Sequence, residues 1–108
     1  AHGESLAIVY PAFMRFTWKN AIPQFGTLAR IFEPTLKAAS DEVAAEKSVE
    51  IMDNFLHQIG LKIKLKEKGM PENEITQLAR QCMVLPDYKG NPRVATEDEM
   101  IELVRMSY

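Results

Sequence analysis

The 108-residue sequence is poor in cysteine, histidine and glycine, with one, two and five of each. A single thiol, Cys82, excludes an internal disulfide and argues for a reducing compartment, the cytoplasm. The glycines are scattered, so no glycine-rich phosphate loop and no nucleotide site is encoded here. No apolar run is long enough to span a bilayer. Neither sign of charge prevails: 13 basic and 15 acidic residues leave a net charge of -2. A field that would draw nucleic acid or an anionic membrane surface is therefore absent. The opening Ala1-His2-Gly3-Glu4 has no basic n-region, and there is no signal-peptide pattern. Structure is expected to begin at these first residues, as in a fragment or a processed product.

What is present is the ordinary balance of a soluble globular protein, 46% hydrophobic and 26% charged, at a length that suits one domain. Residues 4–18 are strongly apolar. Leu6 to Tyr10 alone would pass for a buried strand, but Leu6, Val9, Tyr10, Phe13 and Met14 follow three-and-four spacing and favour a buried helix. Pro11 is expected to kink that helix or end its first half. A second helix is expected over residues 23–32, with Pro23 in its first turn, Phe25, Leu28, Ala29 and Phe32 on one face, and Pro34 as its stop. The clearest helix covers residues 41–59. Ser40 or Asp41 caps it, Val49, Met52, Phe55, Leu56 and Ile59 form its stripe, and Gly60 takes the left-handed position beyond its end. Residues 61–69 alternate apolar residues with lysine, a strand-like pattern isolated among helices. We read them as an extended connector with one turn near Leu65, the lysines forming a solvated face. A fourth helix opens at Pro71 and turns Ile75, Leu78 and Ala79 inward. After an irregular loop, Thr96-Glu97-Asp98-Glu99 forms a capping box for a last helix that buries Met100, Leu103 and Val104. The expected fold is all-α, a compact bundle of about five helices in a single domain over residues 1–108.

Candidate chemistry is sparse. There is no His-x-x-x-His, no Cys-x-x-Cys and no paired acid–histidine spacing. His2 could ligate a metal through a neutral imidazole nitrogen, or be merely solvated. His57, in the middle of a helix, reads as a helix-face histidine bonding locally, and Cys82 as a buried structural thiol. These residues alone support a soluble helical domain and nothing sharper.

Three segments in order carry a resemblance. His2-Gly3-Glu4-Ser5-Leu6-Ala7-Ile8-Val9-Tyr10-Pro11-Ala12-Phe13-Met14-Arg15-Phe16, Ile59-Gly60-Leu61 followed by Leu65-Lys66-Glu67-Lys68-Gly69, and Gly90-Asn91-Pro92-Arg93-Val94-Ala95-Thr96-Glu97-Asp98-Glu99 resemble segments of iron-containing alcohol dehydrogenases. The Leu-Ala-Ile-Val-Tyr-Pro-Ala wording leans toward the butanol dehydrogenase branch. The resemblance implies the C-terminal helical domain of a dehydroquinate synthase-like two-domain fold, without the N-terminal nucleotide-binding domain. It implies iron or zinc and NAD(P) in the full-length enzyme, neither held tightly by this chain alone. It implies a small alcohol or aldehyde substrate, no nucleic acid or membrane partner, and a homo-oligomer. His2 matches the last of the family's three histidine ligands, the one followed by glycine, and Gly3 would let the backbone pass close to a crowded site. Asp87 falls in a loop that approaches the substrate pocket in relatives. The resemblance thus implies part of a dehydrogenase, inactive by itself. Competing readings are a glycerol dehydrogenase or dehydroquinate synthase relative, against which the Asn-Pro-Arg end speaks, and a free-standing helical interaction module.

Overall fold

The computed structural model describes residues 2–108, in which five α-helices alternate with short 3-10 turns and no strand is found. They are α1 (His2–Thr17), α2 (Ile22–Phe32), α3 (Asp41–Gln58), α4 (Ile75–Cys82) and α5 (Glu97–Met106).

Helix ends follow local chemistry. Ser40 caps α3, its hydroxyl oxygen accepting from the Val43 N–H at 3.2 Å. At the other end of α3 the Leu61 N–H donates to the Leu56 carbonyl at 2.8 Å and the Gly60 N–H to that of His57 at 3.2 Å, with Gly60 at φ 75°. This is the paired-bond terminus that requires a left-handed residue. The capping box of α5 is complete: Thr96 Oγ1 accepts from the Glu99 N–H, and Glu99 Oε1 accepts from the Thr96 N–H at 3.0 Å.

Proline does not break α1. Pro11 removes one hydrogen bond, to the Ala7 carbonyl, yet the helix is continuous from His2 to Thr17. Ala7 and Ile8 before the proline and Ala12 and Met14 after it are buried, so both halves are anchored in the core. The expected stripe holds at Met14, which is buried, and at Val9 and Phe13, which are half-buried, but not at its other two positions. Leu6 and Tyr10 stay 47% and 46% exposed, because the smaller Ala7 and Ala12 let α1 approach its neighbours more closely.

The apolar core lies in two clusters. One joins Ala12 of α1 to Ile75 and Ala79 of α4 and to Met100, Leu103 and Val104 of α5. The other joins Ala29 of α2, Leu36 and Ala44 of α3. α2 and α3 form the most extensive helix pair, made close by alanines and by Gly26, where a Cβ would stand 3.2 Å from the Asp41 carbonyl oxygen. Arg30 ties that corner. It donates to the carbonyls of Leu36 (3.2 Å) and Ala39 (2.9 Å) and pairs with Asp41 at 2.6 Å. Phe32 meets Phe55 edge-on, with centroids 5.1 Å apart.

The connector between α3 and α4 is extended with a 3-10 turn at Leu65–Lys68. Leu61, Ile63 and Leu65 are half-buried. The intervening lysines act as tethers: Lys62 pairs with Asp53 at 2.5 Å, Lys64 donates to the Met106 carbonyl at 2.7 Å, and Lys68 pairs with Glu4. An alternating pattern without a partner strand thus becomes a strap across the helix ends.

Candidate functional site

His2 occupies the first turn of α1, where helical amides lack intrahelical acceptors, and its side chain is exposed. Two residues on, Glu4 is anchored by Lys68 from the strap. That hydrogen bond first, and the lysine charge second, hold the Glu4 carboxyl below the usual carboxylate range. The strap therefore fixes the end of α1 that carries His2.

The resemblance to iron-containing enzymes implies a metal here, and the donor set decides what these residues can contribute. An accessible imidazole suits iron or zinc as one ligand. Among the described residues no group of three or more His, Cys, Asp or Glu could hold an ion. His2 thus fits as a single member of a ligand set completed by other residues. Gly3 has nothing within 4 Å of a built Cβ, so the crowding it was expected to relieve is not among the described residues.

The other candidates form no group of three donors with His2 among the described residues. His57 is exposed in the last turn of α3. Asp87 is exposed in the 3-10 turn Pro86–Gly90. Cys82 is exposed, which corrects the expectation of a buried thiol. α4 ends at Cys82, and Met83, just beyond the helix, takes the inward place on the core. The partial burial of the sulfur nevertheless raises the thiol above its usual pKa, so Cys82 is no activated nucleophile.

One assembly was not foreseen. The Arg93 guanidinium lies over the Phe16 ring, 3.9 Å from its centroid, donates to the Phe16 carbonyl at 3.2 Å, and pairs with Glu99 at 2.6 Å. Asn91 Nδ2 donates to Thr17 Oγ1 at 2.9 Å and to the Arg93 carbonyl at 2.7 Å. The Asn-Pro-Arg segment is therefore a clamp that fastens the loop before α5 to the C-terminal end of α1. The pairing of Glu99 with both Thr96 and Arg93 was the available signal, since a capping-box glutamate has a second oxygen free for a nearby guanidinium.

Two concavities flank Tyr10. A cleft of about 420 Å³ lies between α1, α2 and the clamp, lined by Phe13, Phe25, Gln24 and Asn91 among others. An apolar groove of about 210 Å³ lies between α1 and α3, lined by Gly3, Leu6, Tyr10, Met52, Leu56 and Leu61.

The whole chain, residues 1–108, matches the family description "Fe-containing alcohol dehydrogenase family, C-terminal". It is 26% identical over 107 residues to lactaldehyde reductase of Escherichia coli (strain K12), covering 99% of this chain and 28% of that protein. It is 29% identical over 97 residues to choline dehydrogenase of Bacillus subtilis (strain 168), covering 90% and 24%. It is 33% identical over 99 residues to NADP-dependent alcohol dehydrogenase 3 of Entamoeba histolytica, covering 91% and 23%. The crystal structure of a 1,3-propanediol oxidoreductase superposes with a TM-score of 0.90 at 22% identity, over 100% of this chain and 28% of that one, and so shares its fold. The chain spans about a quarter of the length of the curated relatives it matches. Their names span several substrates and so carry a family rather than a branch. On the match over its full length, the chain belongs to the Fe-containing alcohol dehydrogenase family and corresponds to its C-terminal part.

Proposed function

We propose that this chain is the ligand-bearing helical domain of a longer, metal-dependent alcohol dehydrogenase. The enzyme interconverts small alcohols and aldehydes by hydride transfer with NAD(P), works in the cytoplasm and assembles as a homo-oligomer. The observation that carries the reading is His2-Gly3 at the start of α1 in a chain that matches the family from end to end. Relatives named for choline, lactaldehyde and alcohol support a small alcohol or aldehyde substrate, and one name specifies NADP. The exposed free thiol of Cys82 fits a reducing compartment.

Within the reading, His2 supplies one imidazole donor to iron or zinc, and the remaining ligands and the nucleotide site come from the rest of the polypeptide. When bound, the metal supplies Lewis-acid polarisation of the substrate oxygen. The chain's own part is mechanical. α1 carries His2 on a helix whose far end is clamped by Arg93 and whose near end is strapped through Glu4 and Lys68. A ligand held on a rigid element keeps its geometry without reordering at each turnover.

The test compares the parent enzyme with the 108-residue chain. The parent is expected to reduce short aldehydes with NADH or NADPH and to lose that activity on chelation. The chain alone is expected to turn over neither cofactor. Cofactor-dependent turnover by the chain alone, surviving controls for host enzymes, contradicts the reading.

A further inference from the structure

The first turn of a helix is its loosest part, because its amides find no acceptor within the helix and its end frays. In α1 that turn is His2-Gly3-Glu4. An imidazole carried on a fraying turn has no fixed place. This chain holds the turn from outside, through the connector between α3 and α4.

The hold is rooted in the larger core. Leu65 packs against the cluster built from α4 and α5, and its N–H donates to the Ser107 carbonyl at 2.9 Å. Lys64 Nζ donates to the Met106 carbonyl at 2.7 Å, so two carbonyls at the end of α5 receive the strap. The 3-10 turn Leu65–Lys68 then closes on itself, with the Glu67 N–H donating to the Lys64 carbonyl and the Gly69 N–H to that of Lys66, both at 3.1 Å. Lys68 reaches out of this braced turn and pairs with Glu4. The end of α5 and the start of α1 are thus joined through one short turn.

The side from which Lys68 grips matters. His2 and Glu4 are two residues apart, about 200° around the helix, so their side chains leave it on opposite sides. Lys68 therefore fixes the turn from the side away from the imidazole, which stays exposed. We propose that Lys68 and Glu4 are positioning residues for His2: their ion pair keeps the first turn of α1 wound, so that the imidazole is presented to a metal in one place. The proposal deepens the dehydrogenase reading and rests on it. Both residues act through the helical turn. Charge alone has the opposite consequence, which gives the proposal a sign. Removing a lysine paired two residues from His2 lowers the repulsion on a divalent cation, and on that ground should tighten its binding. Removing a brace should loosen it.

The test times the release of zinc from the loaded parent enzyme to a chromogenic chelator, with amide hydrogen exchange on the same proteins. Lys68→Gln should release zinc about fivefold faster, the upper range for a surface ion pair, at a nearly unchanged melting temperature. Its exchange should quicken at the Leu6, Ala7 and Ile8 amides, whose acceptors are the carbonyls of His2, Gly3 and Glu4, and not along α5. Lys68→Arg keeps the pair and should release zinc at the wild-type rate. So should Lys66→Gln, which removes the same charge from the same strap, at an exposed lysine with no ion pair among the described residues. Unchanged or slower release from Lys68→Gln overturns the proposal, while a parent that holds zinc leaves the dehydrogenase reading standing. Faster release with exchange raised equally along α5 marks general loosening and overturns it too. A wild-type parent that takes up neither zinc nor iron sinks the dehydrogenase reading and this proposal together.

Discussion

Glu99 shows how much one carboxylate organises in this chain. It accepts from the Thr96 N–H and pairs with Arg93, which in turn holds Phe16. The Thr96 backbone hydrogen bond, then the Thr96 hydroxyl and the Arg93 charge, keep its carboxyl below the usual carboxylate range. A glutamate lowered in the folded state stabilises the fold above its unfolded pKa, about 4.3, and that contribution disappears as pH falls through the lower folded value. Glu4, lowered by Lys68, acts in the same direction. Urea unfolding across pH 3–6 is therefore expected to show stability falling on the acid side, and Glu99→Gln should flatten part of that fall. An unchanged slope in the variant would mean that Glu99 is not engaged. At this scale the capping box could be read from four consecutive residues, but the clamp could not. Arg93 and Phe16 are separated by 77 positions in the chain, and only the fold brings them together.

Among the elements, a glycine on α2 and one just beyond α3 carry different constraints. Gly60 has a φ of 75° and open space around a built Cβ, so its requirement is conformational. Gly26 has ordinary dihedrals, but a Cβ there would meet the Asp41 carbonyl oxygen at 3.2 Å, so its requirement is room. Gly60→Ala is expected to cost about 1 kcal/mol in chemical denaturation. Gly60→Asn should recover most of that, because asparagine tolerates the left-handed region. Gly26→Ala and Gly26→Asn should both destabilise, the larger side chain more. Rescue of Gly26 by asparagine would contradict the packing account. The end of α3 was legible because Gly60 follows an apolar stripe. The orientation of α1 was not, since a helix apolar on every side has no preferred direction in its spacing. Large residues drew the expectation to Leu6 and Tyr10, while close packing selected Ala7 and Ala12. Cys82 failed for a related reason: its inward register ends where α4 ends, and Met83 fills the position.

Across the whole molecule, all five helices and the absence of strands in the described residues follow from periodicity and caps. The division into two cores does not, because it depends on which helices meet rather than on which residues are apolar. Among the described residues no three His, Cys, Asp or Glu side chains gather where they could hold a metal, and His2 emerged from resemblance rather than from composition or spacing. If the proposed dehydrogenase holds its metal through this imidazole, loss of the imidazole must cost metal and rate together. The measurement is elemental analysis with cofactor-dependent turnover on parent enzymes bearing His2→Ala or His57→Ala, each checked for native helicity. His2→Ala should lose most of its metal and its rate while staying folded, and His57→Ala should keep both. A folded His2→Ala enzyme that retains its metal and its turnover would contradict the proposed ligation.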